Sequence, residues 1–400
     1  MKAAWRSQTL EDACQFSNGL WKGEKPPFVH AGVIRNTNFT KEGALDDSDI
    51  AYLDVEAKKL EKRSLQFGDV ILEKSGGGPK QPVGRVILFD KTEGVFSFSN
   101  FTAALRVRDP KNLDFRFLHK FLHWTYVSGI TEGMQSHSTG IRNLDGDAYK
   151  AIKINYPPLP EQQRIVTLLD EAFDGIATAK ANAEKNLQNA RAIFENHLQS
   201  VFAQRGDGWA EKRLADVCAI TSTLVDPRKA EFIDLTHVGA GNIESKTGAF
   251  AELKTAREEG LISGKFLFDE SMVLYSKIRP YLMKVARPDF NGLCSADMYP
   301  LAPIPGEADR DYLFHLLLSQ QFTDYAIEGS ARAGMPKVNR EHLFEFRVFM
   351  PSVRRQREIA ARFDELQGET QRLESIYQRK LIVLDELKKS LLHRAFSGEL

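Results

Sequence analysis

Cysteine is scarce in this chain of 400 residues: Cys14, Cys218 and Cys294 are the only three. They form no C-x-x-C pair and no even set. That excludes a disulfide framework and leaves a reduced, cytosolic setting as the simple reading. Cys14 and Cys218 sit beside apolar residues and read as buried structural thiols. Net charge is also missing, with 54 Lys+Arg against 54 Asp+Glu. The balance holds locally. Residues 1–156 carry 22 basic and 19 acidic side chains, and residues 208–350 carry 17 and 20. Bulk charge therefore gives no support for nucleic-acid binding, and any anion-binding face must be a local arrangement. No apolar run reaches about 18 residues, so no membrane span is expected. The opening MKAAWRSQTLEDACQF has no apolar core and is not expected to act as a secretory signal.

Catalytic motifs are missing as well. There is no GxxxxGK[ST], no GxGxxG after a strand and no HExxH. Gly76–Gly78 follows a strand-like stretch but lacks the Lys-Ser/Thr pair, so a nucleotide hydrolase or nuclease built on it is the third-ranked reading. The nine histidines are scattered. His119 and His123 share i,i+4 spacing, which a metal could use, but no cysteine or carboxylate partner is evident and packing roles are expected.

What the sequence has is a repeat. Residues 157–203 read as one long helix behind Pro157-Pro158, and the stretch recurs 194 residues later without a gap. Gln162 falls on Gln356, Ile165 on Ile359, Asp170-Glu171 on Asp364-Glu365, Leu198 on Leu392 and Phe202 on Phe396. Apolar or small residues recur at Ile165, Leu169, Ala172, Ile176, Ala179, Ala183, Leu187, Ala190, Phe194 and Val201. In the second copy the seam is Ile359, Phe363, Leu366, Leu373, Tyr377, Leu381, Leu384, Leu391 and Ala395. This alternation of threes and fours is a coiled-coil seam. At ~1.5 Å per residue such a helix is about 65 Å long. The only apolar stripe of equal length is the other copy, so antiparallel packing of the two is expected, with the globules related by a pseudo-two-fold.

The intervening segments repeat too. Trp5, Leu10, Asp12 and Cys14 return as Trp209, Leu214, Asp216 and Cys218. The strand Val70–Lys74 returns in Met272–Lys277, and the helix at Phe115–Tyr126 returns at Tyr312–Leu318. Gly140 in a polar loop returns as Gly334. The expected class is mixed α+β: an α/β globule over 1–156, a long helix over 157–207, a second globule over 208–350 and a second long helix over 351–400.

Two similar globules on a rigid frame suit two half-sites on a duplex. The first offers Lys74, Ser75, Lys80, Gln81, Arg85, Arg142 and Asn143 as candidate readers. The second offers Lys277, Arg279, Tyr281, Lys284, Lys337, Asn339 and Arg340. Arg and Lys can reach phosphate or guanine O6/N7, and Asn and Gln can pair with an adenine edge. The outer helix faces, with Gln162, Gln163, Arg164 and Glu171 and then Gln356, Arg357 and Glu365, are candidate docking surfaces. The alternative from another class is a coiled-coil scaffold carrying two peptide-binding or non-specific DNA-binding globules.

Pro157-Pro158-Leu159-Pro160-Glu161-Gln162-Gln163-Arg164-Ile165-Val166, followed by Leu169-Asp170, resembles the specificity subunit of type I restriction–modification systems. The ending Leu391–Leu400 is similar to that family's C-terminal end, and the likeness covers the chain in order. The second helix departs from the motif, reading Pro351-Ser352-Val353-Arg354-Arg355-Gln356 without the double proline or the acidic residue. The resemblance implies a non-catalytic subunit of a bacterial or archaeal cytoplasm. Such a subunit binds a bipartite, asymmetric double-stranded DNA site, one part per recognition domain, across an unread spacer. It implies no cofactor on this chain. The partners would be two modification subunits, which carry S-adenosylmethionine and methylate adenine, and restriction subunits, which use ATP and Mg.

Overall fold

A computed structural model describes the chain except residues 1–4, 21–22, 24, 79–80, 139–140, 204–205 and 331–335. The described chain forms two units, residues 1–183 with 379–400, and residues 184–378. The division cuts through both long helices, Leu159–Ala203 and Val353–Ser397, each 45 residues. Each unit therefore consists of one globule and a half of each helix, where the sequence suggested four consecutive blocks.

In the first unit, the alternating segments Arg6–Thr9 and Lys153–Tyr156 pair antiparallel and close the globule onto the helix start. Behind them lies a four-stranded sheet in the order Cys14–Asn18, Thr102–Val107, Val70–Glu73, Val86–Leu88. A second sheet sets Phe28–Ile34 between Ala51–Glu56, antiparallel, and Phe96–Phe98, parallel. The second unit repeats this plan. Ala210–Arg213 pairs with Arg347–Met350. A four-stranded sheet runs Cys218–Ala219, Met298–Pro303, Val273–Ser276, Val285–Ala286. The parallel pair is Thr236–Val238 with Gly292–Cys294.

Helix Phe115–Val127 is capped by Asp114, whose carboxylate accepts from the amides of Arg116 and Phe117. Its apolar side, Phe117, Leu118, Phe121 and Leu122, packs on Ile165, Val166 and Leu169 of the first long helix and on Leu392, Ala395 and Phe396 of the second. In the second unit Asp309 caps Arg310–Leu317 in the same way, and Tyr312, Leu313 and Leu316 pack with Leu198, Phe202, Ile359 and Phe363. Within each unit the helices run antiparallel. Phe173 and Lys180 meet Lys388 and Asp385 in the first, and Arg191 and Phe202 meet Glu374 and Phe363 in the second.

Leu366, Leu373, Tyr377, Leu381, Leu384 and Leu391 are only half-buried, because a two-helix seam covers each side chain from one direction. Ile176, Ala183 and Ala190 are buried within the seam itself, and the other buried apolar residues of the long helices lie toward the ends, where a globule adds a third wall. That wall also draws in Leu198 and Phe202, which the seam count left out.

Gln162 and Gln356 are fully buried rather than outward-facing. Gln162 Oε1 accepts from the Asp114 amide at 2.9 Å, and its Nε2 donates to the carbonyls of Asn112 and Pro157, both at 2.8 Å. Gln356 does the same with Asp309, Glu307 and Pro351 at 2.8, 3.0 and 2.9 Å. Each glutamine thus ties the start of a long helix to the capping turn of its globule. The contacts match despite the different sequences before them. Gln162→Leu strands an N–H and two carbonyls and is expected to cost about 2–3 kcal/mol. Urea denaturation checks this, and a loss within 0.5 kcal/mol would mean that water replaces the amide.

Asp170 pairs with Lys120 at 2.6 Å. Its counterpart Asp364 accepts from Arg287 and from His315 Nε2 at 2.9 Å. Burial alone would raise the Asp364 carboxyl, but these donors hold it down at about 2. All three cysteines are buried, and burial pushes each thiol up to about 12. No helix among the described residues is long and apolar enough to cross a membrane.

Candidate nucleic-acid interface

Corresponding backbone hydrogen bonds place the candidate readers of the two units on one template. The Lys74 amide donates to Phe101 O at 3.0 Å, and the Lys277 amide donates to Asp297 O at 3.1 Å. Leu144 N donates to Lys74 O, and Val338 N to Lys277 O, both at 2.8 Å. Ser75 then faces Asn143 as Ile278 faces Lys337. Glu73 N donates to Arg85 O and Ser276 N to Lys284 O. The matched positions are therefore Lys74 with Lys277, Asn143 with Lys337, and Arg85 with Lys284.

In the first unit Ser75, Arg142 and Asn143 belong to strands, although the glycine content suggested loops, and Lys74 and Arg85 lie next to strand ends. Ser75–Gly77 forms a sheet edge beside Ile141–Leu144, which pairs with Gln135–Ser138. No helix follows Gly78, so the triglycine builds no phosphate cradle. Ser75 Oγ donates to Asn143 Oδ1. Lys74 is half-buried and donates to Asn18 Oδ1 at 2.8 Å, and burial lowers its pKa. Arg142 reaches Gln135 Oε1 at 3.4 Å. Gln81 is exposed. Lys80 and Gly140 lie outside the described residues.

Arg85 does not face outward. Its Nε and Nη2 donate to Glu73 at 2.7 and 2.9 Å, Nη1 to Phe39 O at 2.9 Å and Nη2 to Asn36 O at 3.2 Å. With the Gln81 amide turned to satisfy its neighbours, its oxygen accepts from the same guanidinium at 3.0–3.1 Å. All five donors are then spent inside the unit. Lys284 is turned inward in the same manner, donating to Ala240 O at 2.5 Å. Asn36 and Ala240 open equivalent short helices, Asn36–Asn38 and Ala240–Asn242. These two cations brace the globules. The Glu73–Arg85 pair forms the floor of a cavity of about 300 Å³, also lined by Asn36, Phe39, Gly76–Gly78 and Gln81.

In the second unit Lys277 lies 5.2 Å over the Tyr299 ring and 3.7 Å from Asp297. Lys337 is exposed and 3.5 Å from the same carboxylate. Burial, and then Lys337, lower the pKa of Lys277. Asn339 caps Arg340–Glu345 by accepting from the His342 amide at 2.7 Å, so its amide serves the fold. Arg279, Tyr281 and Arg340 are exposed. Gly334 lies outside the described residues.

Of the docking candidates, Gln163, Glu171 and Glu365 are exposed, Arg164 pairs with Glu161, and Arg357 pairs with Asp309. His119 and His123 are buried in the first globule, and His119 Nε2 donates to Gly43 O at 2.9 Å. No cluster of three or more His, Cys, Asp or Glu among the described residues could hold a metal ion.

The profile of the family described as "Type I restriction modification DNA specificity domain" matches residues 5–188 and again 206–379. Among curated proteins, the chain is similar to the type I restriction enzyme EcoDI specificity subunit of Escherichia coli. The two are 36% identical over 218 residues, 54% of this chain and 47% of that protein. The match thus spans about half of the relative. The StySPI specificity subunit of Salmonella potsdam is 23% identical over 94% of this chain and 82% of its own length. The fold matches a chain from a structural study of the type I R-M system with a TM-score of 0.77 at 17% identity, covering all of both chains. It also matches the HsdS subunit from Thermoanaerobacter tengcongensis with a TM-score of 0.67 at 17% identity, over 99% of this chain and 97% of that one.

Proposed function

Because the chain belongs to the family of type I restriction–modification DNA specificity domains, we propose that it directs a DNA adenine methyltransferase to a split, asymmetric duplex sequence. Each unit reads one part. The observation that carries the reading is the shared template bearing different side chains. Beside the shared Lys74 and Lys277, Ser75 and Asn143 in one unit correspond to Ile278 and Lys337 in the other. A common frame with unlike readers suits two unlike half-sites.

The chain supplies no chemistry of its own in this proposal. S-adenosylmethionine belongs to two modification subunits, and ATP and Mg belong to restriction subunits where these join. Near-zero net charge fits a subunit whose partners contribute much of the DNA-embracing surface. The second long helix exposes Ile376, Ile382, Val383 and Leu387 at 44–60%. In the first unit Ile382, Val383 and Leu387, with Gln163 and Glu171, are the proposed docking residues for a modification subunit, and in the second unit Ile376 and Glu365 are.

The test is methylation mapping of the complex with its modification subunits, paired with a chimera in which residues 1–156 come from a relative. The expected result is a split motif whose one half changes while the other is kept. Methylation without a split motif would overturn the proposal. A chimera that altered both halves would show that the units do not read separately.

A further inference from the structure

The two units carry very different residues at one matched backbone position. Gly76 follows Ser75, and Arg279 follows Ile278, so the two occupy the same place beside the matched bridges to Asn143 and Lys337. Both have positive φ, +109° for Gly76 and +50° for Arg279. Glycine takes such a conformation freely, whereas a side chain with a Cβ is disfavoured there. Four non-glycine residues have positive φ among the described residues, and two of them, Arg279 and Met283, bracket the single turn Pro280–Leu282.

That turn is firmly held. Pro280 is buried, the Arg279 amide donates to Pro336 O at 2.9 Å, and the Leu282 and Met283 amides close back on Arg279 and Pro280. Arg279 itself is exposed, and its guanidinium makes no hydrogen bond or ion pair among the described residues. The contrast with Arg85, whose donors are all spent, is complete. Tyr281, two residues on, is 52% exposed. The fold thus keeps an arginine where its own repeat shows that glycine would be easier, and among the described residues the side chain has no partner that accounts for it. Strain retained without a structural return marks a functional residue. An exposed guanidinium on a rigid turn offers the planar pair of donors that matches guanine O6 and N7.

We propose that Arg279 is a specificity-determining residue of the second unit and reads a guanine in its half-site. The inference rests on the DNA-reading function above. Gly76 offers no side chain at the matched place, so the first unit reads its half without an equivalent contact.

The experiment uses the complex with its modification subunits. The half-site of the second unit is identified by exchanging residues 208–350, and binding is measured on duplexes carrying the mapped motif and each single-pair variant. Wild-type complex is expected to require a G·C pair in that half. Arg279→Gly is expected to lower discrimination at that one pair roughly tenfold to a hundredfold, while the urea midpoint of the chain stays the same or rises. Arg279→Lys, which keeps the charge but not the planar fork, is expected not to restore discrimination. Uniform weakening on all sequences, rescued by lysine, would make Arg279 a phosphate contact and overturn the inference. So would a half-site without guanine, or unchanged discrimination. If the wild-type complex itself shows no split motif, the underlying function fails instead, and the two failures are told apart.

Discussion

Glu73→Ala is expected to destabilise the first unit by about 3–5 kcal/mol, because it leaves the Arg85 guanidinium buried without its counter-charge. The side chains are 2% and 12% exposed, and two hydrogen bonds join them at 2.7 and 2.9 Å. The remaining acceptors, the carbonyls of Phe39 and Asn36 and the amide of Gln81, are neutral and do not balance a cation in that setting. The double change Glu73→Leu with Arg85→Met is expected to cost less than Glu73→Ala alone, since removing both charges also removes their desolvation. Urea melts of the three proteins, followed by a probe in the first unit, check the order. A single substitution costing under 1 kcal/mol, or a double costing more than the single, would show that water reaches the pair. Ser276 and Lys284 occupy these positions in the second unit, so a change at Ser276 is not expected to act in this way.

Acid is expected to unfold the first unit through His119 and His123. Burial is the main cause lowering both, with Lys120 adding to it for His119 and His119 itself for His123, from 6.5 to about 4 and about 3. The folded state keeps both rings neutral, whereas the unfolded state takes up protons below pH 6.5. Their contribution to stability is therefore complete above pH 6.5 and falls as pH drops through it. The loss continues to about pH 4 for His119 and about pH 3 for His123. Between pH 7.5 and pH 5 the loss is about 2 kcal/mol for each ring, or about 4 kcal/mol together. His123→Leu is expected to halve this pH dependence, whatever it does to stability at neutral pH. Urea midpoints at pH 7.5, 6 and 5 supply the measurement. A wild-type midpoint flat across that range would mean that the rings charge without unfolding.

The duplicated plan was legible because repetition needs no geometry. An offset of 194 residues aligns the helices, and the Trp-Leu-Asp-Cys opening aligns the globules. Cys14 and Cys218 were legible for the same reason, since an apolar setting repeated twice predicts burial twice. The candidate interface was less legible. Composition marks a cation as available, but only the surrounding chain decides whether it is spent. Arg85 finds Asn36 O across 49 residues of sequence, and no periodicity reports that. Gln162 and Gln356 mislead in the same direction: a polar residue at the start of an exposed helix reads as surface, yet both are buried beneath a capping turn about 48 residues earlier.

By itself, then, the sequence determined a twofold-repeated chain of globule and long helix, with a seam whose partner lies in the same chain. Apolar spacing along a helix is a local property, and it survives translation into structure. Only the tertiary structure decided that each unit takes half of each helix, because the globules, not the seam alone, complete the burial at the helix ends. It also separated the cations that brace the fold, Arg85 and Lys284, from Arg279, an exposed cation on a strained turn with no side-chain partner among the described residues. Hydrogen-bond donors are finite, and which of them are already used depends on residues brought close by the fold.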